Sequence, residues 1–301
     1  MRLAITGATG FVGGRLLAMA LAEGHEVRAL TRRAQPPREN VTWVEGALDR
    51  PDSLALLCAG ADAVIHVAGV INAADASEFE AGNVTGTENM LAAAQAAGLC
   101  RFVHVSSLAA REPTLSHYGG SKLRSEGPVS ASPLQWAIVR PPAVYGPGDR
   151  EILELFKMAK RGFVLLPPKG RLSVIHVDDL ARLLLALAHD DAPSHLTVEP
   201  DDGRPGAWTH EMFARALGTA VGRKVVPIST HKALLRLGAL VDGWVRRAGA
   251  KLTPDRVNYF CHPDWTASTE CGPPAALWRA EIDTGEGLAE TALWYREQGW
   301  L

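Results

Sequence analysis

Residues 4–17 read AITGATGFVGGRLL: an apolar run, then Gly7, Gly10 and Gly13, then the start of a helical pattern. Few sequence features restrict a fold more. Glycine lets the chain turn tightly out of a strand and lets a ligand approach the backbone, and the helix that follows aims its positive end at the turn. A pyrophosphate is the ligand such a turn accepts, so the segment predicts a dinucleotide-binding unit. The spacing G-x-x-G-x-x-G is one residue longer than the common Rossmann fingerprint, and glycines alone would also suit an ordinary turn. Their place between a first strand and a first helix favours the dinucleotide. The expected loop residues are Gly7, Thr9, Gly10, Phe11, Val12 and Gly13.

The chain beyond repeats the same alternation. Apolar strand patterns fall at 3–6, 26–30, 41–44, 63–67, 102–106, 136–140 and 173–177, with helical patterns at 11–22, 87–97, 118–127 and 178–189. Several strands are almost wholly apolar, as strands covered on both faces are. The expected fold is therefore α/β, a doubly wound parallel Rossmann sheet. After Gly146 prolines punctuate the chain (Pro167, Pro168, Pro193, Pro200, Pro205) and the last third is mostly helical. The division this predicts is a dinucleotide-binding domain of 1–145 plus 172–198, with a smaller, mostly helical substrate-binding cap from 146–171 and 199–301.

The second strand runs into Thr31, Arg32 and Arg33. An acidic residue there would accept from the ribose 2′-hydroxyl of NAD; two guanidiniums instead suit a 2′-phosphate. NADP(H) is favoured, with NAD(H) the alternative and a solvated basic turn the plainer reading. Across the chain 31 Lys and Arg stand against 33 Asp and Glu. That balance lacks the basic excess a nucleic-acid partner needs, so a small-molecule substrate is expected. Cys58, Cys100, Cys261 and Cys271 show no paired spacing, which points to reduced thiols and no metal site. The N-terminus reaches glycine too early for a signal peptide, and no apolar run approaches the roughly 20 residues that span a bilayer, so a cytoplasmic location is expected.

Seven segments, in order, carry a family resemblance: TGATGFVG (6–13), ADAVIHVAG (61–69), NVTGTENML (83–91), VSS (105–107), YGGSK (118–122), RPPAVYGPGD (140–149) and HVDDLA (176–181). Together they resemble the extended short-chain dehydrogenase/reductases of the NAD-dependent epimerase/dehydratase type. The resemblance implies that Asp49 lies near the adenine and that Ala68 and Gly69 end a strand against the cofactor. It implies that Asn83 holds the active-site helix or a water, and that Pro141 to Val144 pass the nicotinamide carboxamide. It makes Ser107, Tyr118 and Lys122 the catalytic set, with Ser107 holding the substrate oxygen.

The chemistry suits those residues. Tyr118 and Lys122 stand four apart, on one face of a helix. A free phenol titrates near pH 10, and a neighbouring ammonium, with the positive nicotinamide of the oxidised cofactor, is expected to favour phenolate and bring it into range for proton transfer. Lys122 could also reach the nicotinamide ribose. Only ten residues separate Ser107 from Tyr118, shorter than in sugar-nucleotide epimerases, and Leu172 stands where those enzymes place a diphosphate-binding arginine, with Arg171 one place off. The segments RLSVIHVDDLA and LAETALWYREQGWL instead resemble the 3β-hydroxysteroid dehydrogenase-like and dihydroflavonol reductase-like branch.

Within 232–251, Leu234, Leu237, Val241, Trp244 and Ala248 form an apolar stripe, with Lys232, Arg236, Arg246, Arg247 and Lys251 around it against one acid, Asp242. Such a helix either packs its stripe inward in the cap or lies peripherally on the inner face of an anionic membrane. The leading expectation is an NADP(H)-dependent oxidoreductase interconverting a ketone and a secondary alcohol on a sterol-like or long-chain 3-oxo lipid. The alternatives are a nucleotide-sugar epimerase/dehydratase that keeps its cofactor bound, and a non-catalytic dinucleotide sensor or assembly protein. The resemblance also implies a homodimer through helices 87–97 and 118–127.

Overall fold

The computed structural model describes residues 1–73, 75–246 and 253–301, so Arg247, Ala248 and Lys251 of the basic segment lie outside the described residues. The chain divides into two compact units: Met1–Pro141 with Asp178–Pro200 and Glu270–Arg279, and Pro142–Val177 with Asp201–Thr269 and Ala280–Leu301.

The first unit is built on a parallel sheet of seven strands: β1 (Arg2–Thr6), β2 (Glu26–Thr31), β3 (Val41–Glu45), β4 (Ala63–His66), β5 (Arg101–Val105), β6 (Gln135–Val139) and β7 (Leu196–Val198), in the order β7-β6-β5-β4-β1-β2-β3. Every side chain of β4 and β5 is buried, as in strands covered on both faces, and that includes His66, Arg101 and His104. Helices α1 (Phe11–Ala22), α2 (Pro51–Cys58), α3 (Gly86–Ala96), α4 (His117–Ala131) and α5 (Val177–Ala188) connect and cover the strands. Leu54, Leu57, Met90 and Leu91 of α2 and α3 meet Val64, Phe102 and Ile138 of the sheet in one core. On α5, Leu180, Leu183, Leu184 and Leu187 recur at helical spacing and are fully buried. Each such leucine contributes roughly 2 kcal/mol by burial.

Two elements depart from the sequence expectation. The run 173–177 yields a short strand, Val174–His176, that pairs with Ala143–Tyr145 in a two-stranded sheet of the second unit. The seventh strand of the large sheet is β7, which pairs with β6. The second unit otherwise packs helices Leu153–Lys160, His210–Val221 and Thr284–Glu297 around Tyr145, Phe156, Phe213, Leu217 and Tyr295, with two further small sheets. Its helix α6 (Lys232–Arg246) contacts the helix Pro254–Phe260. Among the described residues no helix is long and apolar enough to cross a membrane.

Candidate active site

The strand order reverses between β1 and β4, and in doubly wound sheets ligands bind beyond the carboxyl ends of the strands at such a reversal. Gly7 leaves β1 with φ +74°, and a Cβ there would lie 2.9 Å from the backbone nitrogen of Ala68, which follows β4. The Gly10 N–H donates to the Gly7 carbonyl at 2.9 Å, and a Cβ on Gly13 would stand 2.1 Å from that same oxygen. Helix α1 then starts with no side-chain cap and no acidic residue in its first turn. Its leading N–H groups are left for an external anion, which fits the pyrophosphate of a dinucleotide. Thr9 and Gly10 are exposed beside Phe11 and Val12, which are half-buried.

Arg32 and Arg33 are exposed just beyond β2, where the buried Thr31 hydroxyl donates to the Arg33 carbonyl at 2.7 Å. Asp49 is exposed in the turn before α2. Pro141 ends the first unit and accepts from the Leu108 N–H at 3.0 Å; Val144 belongs to the second unit, on the strand Ala143–Tyr145.

Helix α4 sets Tyr118 and Lys122. Ser116 caps it, accepting from the Gly119 N–H at 3.0 Å. A Cβ on Gly119 would lie 2.6 Å from the Ala109 carbonyl oxygen, so glycine lets the helix start close against the segment that carries Ser107. Ser107 is buried and extended, its Oγ accepting from the Ala109 N–H at 3.2 Å. Burial pushes the Tyr118 phenol above its ordinary value, with a hydrogen bond from Ser107 partly opposing. Desolvation of the phenol is the larger of these two influences. The Tyr118 ring also packs at 6.2 Å from that of Phe79.

Lys122 is buried, and its Nζ donates to the Val105 carbonyl at 2.7 Å. Burial lowers its pKa to about 8, with Glu126, one turn further along α4, pulling the other way. A Cβ on Gly69 would lie 3.6 Å from Lys122 Nζ, so the amine lies beside the chain leaving β4. The geometry thus brings Ser107, Tyr118, Lys122 and the end of β4 together.

Of the supports beneath this group, Asn83 is the one the resemblance named, and sequence reasoning missed the others. Asn83 lies in a π-helical turn (Glu80–Thr85); its Oδ1 accepts from the Val70 N–H at 2.6 Å, and its Nδ2 donates to the Val70 carbonyl at 3.0 Å and to Ser121 Oγ at 2.9 Å. His66, on β4, sits between Thr6 Oγ1 (2.8 Å) and Thr87 Oγ1 (3.1 Å). Thr87 spends its hydrogen on the Asn83 carbonyl at 2.6 Å, so His66 Nε2 must donate and Nδ1 must accept from Thr6. Burial holds His66 down to about 3, keeping the ring neutral. One polarised chain therefore runs from the Ala68 N–H through Thr6, His66 and Thr87 to Asn83. Below Lys122, buried Glu126 accepts from Ser106 Oγ and from Arg140 at 2.7 and 2.9 Å, and Arg140 also meets Glu199 at 3.5 Å. A polar residue inside an apolar strand was the available signal for His66. The Glu126–Arg140 pair joins different elements and left none.

The described residues contain no cluster of His, Cys, Asp and Glu able to hold a metal. Arg171 is exposed, donating to the Gly206 carbonyl, and Leu172 is half-buried in pairing with Trp208.

Residues 3–198 match the model of the NAD dependent epimerase/dehydratase family. A ceramide reductase of Caulobacter vibrioides is 39% identical over 312 residues, covering 99% of this chain and 96% of that protein. A 2-alkyl-3-oxoalkanoate reductase of Stenotrophomonas maltophilia is 26% identical, covering 88% and 91%. Among solved structures, MoeE5 in complex with UDP-glucose and NAD superimposes with a TM-score of 0.76 over 99% of each chain at 21% identity, a likeness of fold. The chain belongs to the NAD dependent epimerase/dehydratase family and is a pyridine-nucleotide-dependent enzyme of the short-chain dehydrogenase/reductase type.

Proposed function

We propose that the protein is an NADPH-dependent reductase that converts the ketone of a long-chain 3-oxo lipid of ceramide type to a secondary alcohol. The observation that carries the reading is the grouping of buried Ser107 and Lys122 with half-buried Tyr118 beside the chain leaving β4. When bound, the nicotinamide supplies the hydride. The developing alkoxide needs a hydrogen-bond donor and then a proton. Ser107 supplies the first. Tyr118 supplies the second, and a phenol held protonated by burial arrives ready to act as the acid in the reducing direction. Lys122 below about pH 8 carries the charge that steadies the phenolate left behind.

Arg32 and Arg33 support NADPH over NADH, being exposed guanidiniums where an NAD enzyme carries a carboxylate. The relatives named ceramide reductase and 2-alkyl-3-oxoalkanoate reductase support a lipid ketone, as do the short span from Ser107 to Tyr118 and the leucine at 172. A homodimer through α3 and α4 is part of the same reading. The test is a substrate panel of long-chain 3-oxo lipids, steroids and nucleotide sugars with NADPH or NADH, followed by nicotinamide absorbance. Turnover of the lipid ketones with NADPH is expected; turnover of nucleotide sugars alone would overturn the proposal.

A further inference from the structure

Large apolar side chains left exposed in the second unit concentrate on one stretch of chain. Val226–Ser229 pairs in parallel with Phe163–Leu166, placing Val226 opposite Phe163 and Ile228 opposite Leu165. Directly paired residues share a face, and Val226, Ile228 and Leu165 on that face are exposed. The other face turns Val164 and Leu166 into the core of the unit. Helix α6 begins two residues after this sheet. Its Leu234, Leu237, Leu240 and Trp244 are all exposed, Trp244 at 85% and Leu240 at 63%. At 3.6 residues per turn these four fall within an arc of about 120°. Ala239, outside that arc, is buried, so the stripe points outward and not into the cap. Scattered single apolar residues on a surface need no explanation, but a contiguous helix face of leucines and tryptophan does.

The charge around this face is one-sided. Residues 155–172 and 222–241, which include the sheet and most of α6, contain nine Lys and Arg and no Asp or Glu, in a chain whose net charge is −2, and are bordered by Glu154, paired with Lys157, and by Asp242. Lys160 and Arg161 precede one strand, Arg223 and Lys224 precede the other, and Arg236 flanks the stripe, all exposed. A second protein of average surface would bring as many positive charges as negative ones. An apolar stripe edged mainly by cations, with Asp242 the one acid on α6, matches a surface that is apolar beneath and anionic above.

We propose that this face docks on an anionic lipid bilayer, with the α6 stripe seated at the headgroup boundary and the flanking cations on lipid phosphates. The proposal rests on the reading of the substrate as a lipid, since it is at such a surface that the substrate would be met. The experiment is flotation of the full-length protein with phosphatidylcholine vesicles, with and without phosphatidylglycerol, at low and high salt. Wild-type protein is expected to float with the anionic vesicles, and less so at high salt. A Leu237→Glu/Leu240→Glu/Trp244→Glu variant is expected to bind at least about tenfold more weakly. Arg223→Glu/Lys224→Glu/Arg236→Glu should lose the preference for anionic lipid. All six side chains are exposed, and NADPH binding by each variant confirms that the chain is folded. Failure of the wild-type protein to float, or equal flotation of the apolar triple variant, overturns the proposal. So does a wild-type dimer that the apolar variant converts to monomer without any change in flotation, which would assign the face to a second copy. Flotation without turnover of any lipid ketone would instead contradict the function and leave the docking face standing.

Discussion

Lys122→Met separates stability from catalysis. The wild-type amine sits buried with its pKa lowered from 10.5 to about 8, so holding it charged in the fold costs about 3 kcal/mol relative to the unfolded chain. Its bond to the Val105 carbonyl returns part of that, about 1.5–3 kcal/mol for a charged donor. Methionine fills a similar volume without a charge, so the variant is expected to melt within about 2 kcal/mol of wild type although a buried ion has gone. The pH dependence is sharper. Below about 8 the lysine is protonated in both folded and unfolded chains and contributes no slope. Between about 8 and 10.4 the unfolded chain binds more protons, so wild-type stability gains with rising pH. The wild-type-minus-variant difference, from urea melts at successive pH values, should therefore climb by about 3 kcal/mol across that window. Cys58, raised by burial to about 11, titrates alike in both proteins and cancels. A flat difference would refute the claim that the amine is desolvated. Catalysis should fall at least about 100-fold in the variant at every pH.

Tyr118→Phe should bind NADPH as wild type does while losing about 10²–10⁴ in kcat, measured by nucleotide fluorescence and steady-state rates. Arg32→Ala with Arg33→Ala should raise the Kd for NADPH by about 10–100-fold and leave that for NADH nearly unchanged; equal losses would place the 2′-phosphate elsewhere. Gly13→Ala should abolish dinucleotide binding, since its Cβ would meet the Gly7 oxygen at 2.1 Å, whereas Gly14→Ala, whose nearest neighbour would be 3.7 Å away, should keep binding and add up to about 1 kcal/mol of stability. Wild-type reduction should decline as pH rises through about 8, where Lys122 loses its charge, a decline read from kcat across pH.

What was legible in the sequence is what depends on neighbours along the chain. The glycine loop declares itself because strand, turn and helix are consecutive, and the buried strands β4 and β5 because both faces are covered. The run 173–177 was legible as a strand, but which sheet it joins depends on pairing with Ala143–Tyr145, a tertiary choice. β7 has three residues and shows no period to read. At the site, the Tyr–Lys spacing was visible, whereas the upward push on Tyr118 comes from burial by distant segments. The chain from Ala68 through His66 to Asn83 joins two strands and the helical segment 80–96 and had no local pattern. The outward direction of the α6 stripe was equally hidden: helical spacing gives the stripe, and only packing says which way it faces.

The most direct test of the account is the fate of the transferred hydrogen. NADPH deuterated at the transferring position of the nicotinamide is incubated with the protein and a long-chain 3-oxo lipid, and the products are weighed by mass spectrometry. The account predicts one deuterium on the carbinol carbon of the lipid alcohol per nucleotide oxidised, absent in Tyr118→Phe. Deuterium retained by the nucleotide, with no lipid alcohol formed, would contradict it.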